Sequence, residues 1–255
     1  MRAKKQLGQH FLHDQQVITR ILDTIKDHCK EHHPIIEVGP GQGILTTNLA
    51  SHYKAFKAIE LDRDMVALLN QKISPDQIIH SDFLKVDLNE AFASVPFNLV
   101  GNFPYNISSQ IIFKMLENVA MIPVMIGMFQ KEVAERICAS PGSKKNGIIS
   151  IRAQAMYKAT MLFDIDPSAF SPPPRVMSSM IMLTRKEDYS LPCDPLIFKN
   201  IIKVSFGQRR KKLRNTLKSL LIDSSDPIFQ KRPEHLGVEE FINIANLIKS
   251  QNLDS

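Results

Sequence analysis

Cysteine is scarce in this chain of 255 residues. Cys29, Cys138 and Cys193 stand alone, with no CxxC pair. That spacing argues against a disulfide framework and a cysteine-ligated zinc site, so the expected compartment is a reducing one. Long apolar runs are missing as well. No stretch approaches the roughly eighteen apolar residues of a membrane helix, and the basic start Met1-Arg-Ala-Lys-Lys5 has no apolar core behind it. The expectation is a soluble cytoplasmic protein. No metal role is assigned to His13, His28, His32, His33, His52, His80 or His235. No serine sits in a nucleophile elbow, and no full GxGxxG dinucleotide signature is present. Acidic residues are absent from Lys203 to Lys218, where seven Lys or Arg residues fall. With a net charge of +6, that local imbalance fits a polyanionic partner.

What is present is an alternation of short apolar runs and amphipathic segments. Asp14 to Lys30 carries Val17, Ile18, Ile21, Leu22 and Ile25 at helical spacing. Strands are expected at Ile35 to Val38, Ala55 to Glu60, Gln77 to His80, Phe97 to Gly101 and Pro123 to Phe129. Helices are expected at Ile44 to Ser51, Asp62 to Lys72, Ser108 to Asn118 and Gln130 to Cys138, with Asp62 and Ser108 as caps. This order implies an α/β fold with a parallel, doubly wound sheet. Ala159 to Ile165 and Val176 to Leu183 would add an antiparallel pair at one edge. Ser140 to Gly147 reads as a basic surface loop. Beyond a polar linker at Glu187 to Pro195, helices are expected at Leu196 to Ser205, Arg209 to Leu221 and Val238 to Gln251. The expected domains are therefore residues 1–186 and a small all-α domain at residues 187–255.

Chemistry gathers at the strand ends. Gly39-Pro-Gly-Gln-Gly43 follows a strand and opens a helix, and Gly39 and Gly41 would let backbone approach a ligand closely. Glu60 ends the second strand, where a carboxylate accepts from both ribose hydroxyls. Asp82 ends the third, beside Phe83, and a carboxylate there accepts from an adenine amine. Ligands in open α/β sheets bind beyond the carboxyl ends of strands, so these groups should converge. At the end of the fourth strand stands Asn102-Phe-Pro-Tyr105. The amine of adenine is a poor nucleophile, because its lone pair is delocalised into the ring. It needs acceptors that hold its hydrogens and aim that lone pair. The Asn102 side-chain oxygen and a carbonyl near Phe103 suit that task. Pro104 fixes the turn, and Tyr105 offers a stacking face worth about 1–3 kcal/mol per base.

At these residues the chain resembles the small-subunit ribosomal RNA adenine dimethyltransferases, the KsgA/RsmA family, relatives of the Erm-type large-subunit enzymes. The resemblance spans nearly the whole length. It rests on Gly8-Gln-His-Phe-Leu12, Glu37 to Thr46, Glu60-Leu-Asp62, Asp82-Phe83 and Asn102 to Ser108. Further on it includes Gln130 to Ala134, Phe170-Ser-Pro-Pro-Pro-Arg-Val176 and Phe206 to Asn215. It implies a Rossmann-like class I methyltransferase with S-adenosylmethionine as methyl donor. His10 and Leu12 would touch the methionine end of that donor, Gly39 and Gly41 its glycine-loop side, Glu60 its ribose and Asp82 its adenine. Asn102, against the same cofactor, would hold the target base with Pro104 and Tyr105, and Phe170 would supply a second stacking face. Two positions depart from the family pattern. Asn is commoner where His10 stands, and Leu where Phe103 stands.

The implied substrate is a pair of adjacent adenosines in the 3′-terminal hairpin loop of small-subunit rRNA, each dimethylated at N6. The implied partner is a pre-small-subunit particle, bound by a monomer with no membrane role. Arg209, Arg210, Lys211, Lys212 and Arg214 are the expected RNA contacts, with Lys4, Lys5, Lys144 and Lys145 as additions. Three rival readings are an Erm-like large-subunit enzyme, an assembly factor without catalysis and a nicotinamide dehydrogenase. The stretch Phe206 to Asn215 opposes the first, the intact Glu60, Asp82 and Asn102 to Tyr105 the second, and the missing GxGxxG the third.

Overall fold

The computed structural model describes Lys4 and residues 8–30, 33–220 and 223–253. Lys5, His32 and Leu221 lie outside the described residues. In chain order the strands are β1 (Phe11–Leu12), β2 (Ile35–Val38), β3 (Phe56–Glu60), β4 (Ile78–His80), β5 (Asn98–Asn102), β6 (Val124–Gln130), β7 (Tyr157–Ile165), β8 (Phe170–Ser171) and β9 (Ser178–Arg185). β1 and β8 pair antiparallel as a two-stranded ribbon. The other seven form one sheet in the order β4-β3-β2-β5-β6-β9-β7. Neighbours from β4 to β6 are parallel, and β9 runs antiparallel to β6. The order reverses at β2 and β5, the switch point where open α/β sheets leave a crevice.

Side-chain chemistry sets the element ends. Asp14 accepts from the amides of Gln16 and Val17 and so starts the helix Gln15–His28. Asp62 does the same for Arg63–Leu69 through the Asp64 amide. Ser108 is not a cap. It is the first residue of Ser108–Glu117, and its hydroxyl donates back to the Tyr105 carbonyl at 3.1 Å. All four residues of β2 are buried, as expected for a parallel strand covered on both faces. Ile18, Ile21, Leu22 and Ile25 of the first helix join Val100, Ile126, Met128 and Met180 in one cluster.

Packing divides the chain into residues 1–134 with 160–185, and residues 135–159 with 186–255. The second unit thus takes in 135–159 besides the C-terminal segment expected there. The reason is the helix Ile148–Met156, which is not among the expected helices. None of its residues is exposed, so it carries no amphipathic stripe to betray it. Its Ile151 and Ala155 share a core with Phe198, Ile201, Phe241 and Ile248. Gln154 Nε2 fastens it by donating to the carbonyls of Ile137 and Ala139, both at 2.9 Å.

The bulk of Phe103 is accommodated at the crossing of β5 and β6. Gly101 and Gly127 are register partners there. A Cβ on Gly127 would fall 2.1 Å from Phe103 Cε2. The buried Phe103 ring also meets Phe129 edge-on, with centroids 5.2 Å apart. Gly127→Ala is expected to destabilise the chain by about 1–3 kcal/mol through overpacking. In a Phe103→Leu background the same change should cost much less. Equal costs in both backgrounds, measured by urea melts, would refute this pairing.

Candidate active site

One cavity in the first unit is lined by residues from 8–12, 37–45, 59–61, 81–84 and 102–107. It brings together His10, Leu12, Gly39, Gly41, Glu60, Asp82, Asn102, Pro104 and Tyr105. Segments far apart in sequence meet there because β2, β3, β4 and β5 are neighbours whose carboxyl ends lie on one side. Phe170 is not in the lining. It is 2% exposed, pairs with Leu12 across the β1–β8 ribbon and belongs to the apolar core. Core burial, rather than a stacking position, is where the structure places it.

The glycine loop is shaped by backbone that other residues resist. Gly39 and Gly41 have φ of +67° and +55°. A Cβ on Gly39 would stand 3.3 Å from Pro104 Cδ, so the loop lies directly against the Asn102 to Tyr105 turn. Glu60 is buried, and its two oxygens accept from the amides of Gly41 at 3.0 Å and Asp62 at 2.8 Å. Burial pushes its carboxyl above the usual range, and these amides oppose that rise. The Leu61 amide adds a third such bond, which leaves the four-site carboxylate room for a further donor. Asp82 accepts from the Leu84 amide at 3.0 Å through Oδ1, so its other oxygen is the one available to a ligand.

Two further residues shape this half of the site. Lys114, on the helix after the 102–105 turn, donates to the carbonyls of Leu84 at 3.0 Å and Val86 at 2.5 Å. It also lies 5.5 Å from the Phe83 ring centroid. It ties the Asp82-Phe83 loop to that helix, and nothing in its local sequence announces this. Glu37 is 2% exposed in an otherwise apolar strand, and its Oε2 has no hydrogen-bond partner among the described residues. The signal that could have singled it out is its place inside an apolar strand, since acidic side chains are rarely buried without a partner.

The other half of the cavity holds an amide and two rings. Asn102 Nδ2 donates to the His10 carbonyl at 3.2 Å. Only the amide nitrogen can donate, so this bond leaves Oδ1 as the free acceptor. The Tyr105 hydroxyl shares a hydrogen with Ser178 Oγ at 2.5 Å, and burial pushes its pKa up against that bond. The His10 ring stacks on Tyr105 with centroids 5.5 Å apart and planes inclined by 27°. His10 Nδ1 lies 2.7 Å from the Pro172 carbonyl.

The second unit holds the basic residues. Arg209, Arg210, Lys211, Lys212 and Arg214 are all exposed. They do not share the long helix expected at 209–221. Residues 209–212 form a turn, and only Leu213–Thr216 is helical. On a helix Arg209 would face Lys212, and Arg210 would face Arg214, as repelling like-charge pairs, and Arg209 instead reaches back to the Lys144 carbonyl at 2.6 Å. Two of the additional cations are engaged. Lys4 bonds Asp62 at 2.6 Å and Asp64 at 2.7 Å, and Lys145 pairs with Glu135.

A parallel sheet with a left-handed glycine loop after β2 and acceptors at the ends of β3, β4 and β5 defines a class I S-adenosylmethionine-dependent methyltransferase. The fold agrees with that of a dimethyladenosine transferase from Plasmodium falciparum, at TM-score 0.80 and 22% identity over 95% of this chain and 98% of that one. It also agrees with 23S rRNA methyltransferase ErmE, at TM-score 0.67 and 22% identity over 92% and 99%. The sequence pattern of the family described as ribosomal RNA adenine dimethylase matches residues 1–255. Ribosomal RNA small subunit methyltransferase A of Phocaeicola vulgatus is 49% identical over 256 residues, 98% of this chain and 91% of that protein. Its counterpart in Flavobacterium johnsoniae is 46% identical over 260 residues, 100% of this chain and 99% of that one. The chain belongs to the ribosomal RNA adenine dimethylase family. Among the described residues no helix is long and apolar enough to cross a membrane.

Glu37 supplies a pH test of this geometry. Burial, opposed by the Thr46 hydroxyl and reinforced by the nearby Glu60 charge, pushes its carboxyl from the ordinary 4.5 up to about 8. It therefore keeps its proton in the folded chain where the unfolded chain has lost it. The stability it lends is full below about 4.5 and drains away as pH rises to about 8. Glu37→Gln is expected to flatten the fall in melting temperature of the ligand-free protein between about pH 5 and 8. A variant profile parallel to the wild type would contradict the burial argument.

Proposed function

We propose that this protein methylates the N6 amines of two adjacent adenosines in the 3′-terminal hairpin loop of small-subunit rRNA, placing two methyls on each. It acts as a cytoplasmic monomer on a pre-small-subunit particle, and so contributes to small-subunit maturation. The observation that carries the reading is the free Asn102 acceptor beside Tyr105, in the same cavity as Glu60 and Asp82. The names of the relatives at 43–49% identity support the small subunit as target.

The residues present fit S-adenosylmethionine. Glu60 and Asp82 offer carboxylate acceptors at successive strand ends, for ribose hydroxyls and an adenine amine. Gly39 and Gly41 present backbone without side chains, and the unpartnered Glu37 oxygen awaits a donor. When bound, S-adenosylmethionine supplies an electrophilic methyl on a sulfonium sulfur. Asn102 Oδ1 accepts a hydrogen from the target amine and turns its lone pair out of conjugation with the ring. Pro104, packed on Gly39, sets the spacing between amine and glycine loop. Tyr105 holds the base by one face. Positioning of this kind is a large rate factor, because two bound reactants then meet as one. The target bases must leave their stack, at a cost of a few kcal/mol that is least in a loop. In this reading residues 1–186 carry the chemistry and residues 187–255 carry RNA recognition, with the exposed cations neutralising phosphates.

Asn102→Ala is expected to abolish methyl transfer to undermodified small subunits while leaving particle binding intact. Labelled S-adenosylmethionine followed by nucleoside analysis reads the first, and sedimentation the second. Wild-type transfer by the variant would refute the Asn102 role, and methylation confined to large-subunit rRNA would refute the target. Replacing Arg210, Lys211 and Lys212 together by Gln should weaken particle binding. It should also flatten the dependence of log K on log salt by about 0.7–0.9 for each phosphate left without its cation. An unchanged slope would show that these cations do not meet phosphate.

A further inference from the structure

Asp82 stands on the least supported strand end of the site. β2, β3 and β5 are mostly buried, whereas β4 lies at the edge of the sheet, beside β3, and none of its three residues is buried. The segment that follows it, Phe83–Lys85, is a single 3-10 turn, and a helical segment this short has little stability of its own. Side chains of opposite charge clamp it at both ends. At the amino end Asp82 accepts from the Leu84 amide through Oδ1 at 3.0 Å. The Asp82 carbonyl also accepts from the amides of Lys85 at 2.9 Å and Val86 at 3.3 Å, so the carboxylate moves with the turn as one body. At the carboxyl end the half-buried Lys114 ammonium donates to the carbonyls of Leu84 at 3.0 Å and Val86 at 2.5 Å. An acid at the start and a cation at the end is the pairing that peptide dipoles favour. Lys114 itself stands outside the residues that line the cavity.

We propose that Lys114 is a positioning residue for the adenine end of the methyl donor, and that the site's selectivity for a 6-aminopurine depends on it. By holding the carbonyls of Leu84 and Val86 it fixes the turn that carries Asp82. That in turn sets the reach of the Asp82 oxygen left over by the Leu84 amide. A hydrogen bond spans only about 2.7–3.2 Å, so a shift of about half an ångström in the turn is enough to lose one. Apolar contact with Phe83 and Leu84, which also line the cavity, tolerates such a shift. Loosening the turn therefore removes recognition of the amine and spares recognition of the ring. The Lys114 ammonium is suited to the task because its surroundings hold it in place. It lies 5.5 Å from the centroid of the buried Phe83 ring. Burial pulls its pKa down, and the charges of Asp82, Asp87 and Glu117 oppose that fall.

The inference rests on the reading of Asp82 as the acceptor of the donor's adenine amine, and the test separates the two. Calorimetry on the full chain compares two unreactive ligands, S-adenosylhomocysteine and its analogue whose purine lacks the 6-amino group. Lys114→Met, close in volume and without charge, should weaken S-adenosylhomocysteine about tenfold, the worth of one hydrogen bond to a charged group. It should change the affinity of the analogue by less than about twofold, since that ligand has no amine for Asp82 to hold. Because Lys114 acts through Asp82, the double variant with Asp82→Ala should bind S-adenosylhomocysteine no worse than Asp82→Ala alone. Equal losses for the two ligands would make Lys114 a plain support of the wall and overturn the proposal. Unchanged binding of S-adenosylhomocysteine, or losses that multiply in the double variant, would overturn it as well. If Lys114→Met fails to fold, Lys114→Gln decides. Its shorter, uncharged amide cannot replace both bonds, so its preference for the amine should fall about threefold or more. An undiminished preference sinks the proposal. A wild-type preference that survives Asp82→Ala would instead sink the adenine reading of Asp82 itself.

Discussion

The contact of Gly39 with Pro104 is the constraint on which the site depends. A glycine in the left-handed region, with a proline ring where its side chain would be, joins the loop after β2 to the turn after β5. These strands are adjacent and in parallel register, Ile35 beside Asn98 and Glu37 beside Val100. Their carboxyl ends therefore advance together, and the two turns must either clash or interlock. They interlock because one side has no Cβ and the other has a ring of fixed shape. Methyl transfer needs donor and acceptor held at close range along a line. In the proposed reading, the packing of Gly39 on Pro104 sets that range.

The remaining polar groups depend on that contact. Glu60 draws the Gly41 amide inward, and so braces the loop from the β3 side. Lys114 draws in the carbonyls of Leu84 and Val86, and so braces the loop after β4. Burying two carboxylates and half-burying a cation is costly unless partners are supplied. Glu60 and Lys114 have theirs. Glu37 Oε2 has no hydrogen-bond partner among the described residues, and that is where a bound ligand has most to offer.

Much of this was legible in the sequence, and the exceptions have physical causes. Strands β2 to β6 were readable because each is a short apolar run closed by a turn or cap residue. Glu60, Asp82 and Asn102 were readable because a strand end in a parallel sheet is where ligands bind. The helix Ile148–Met156 was hidden because it is covered on every side and shows no periodicity. The helix expected at 209–221 shrank to Leu213–Thr216, because charge repulsion and the Arg209 bond to Lys144 outweighed propensity. Phe170 and His10 are partner problems. Phe170 is an aromatic in a proline-rich loop, and nothing local says that Leu12 will pair with it. No local pattern shows that His10 will meet Pro172.

That last pairing bears on how the protein is made. The chain is synthesised from its N-terminus at about 5–20 residues per second. His10 therefore waits about ten to thirty seconds for the Pro172 carbonyl, which lies 162 residues downstream. The β1–β8 ribbon, with Phe11 opposite Ser171 and Leu12 opposite Phe170, must wait as long. Strands β2 to β6 can already pair in that interval, so the strand ends that line the cavity precede the ribbon that anchors His10. A nascent chain cut short before residue 170 would hold the glycine loop and its carboxylates and lack the wall that fixes His10.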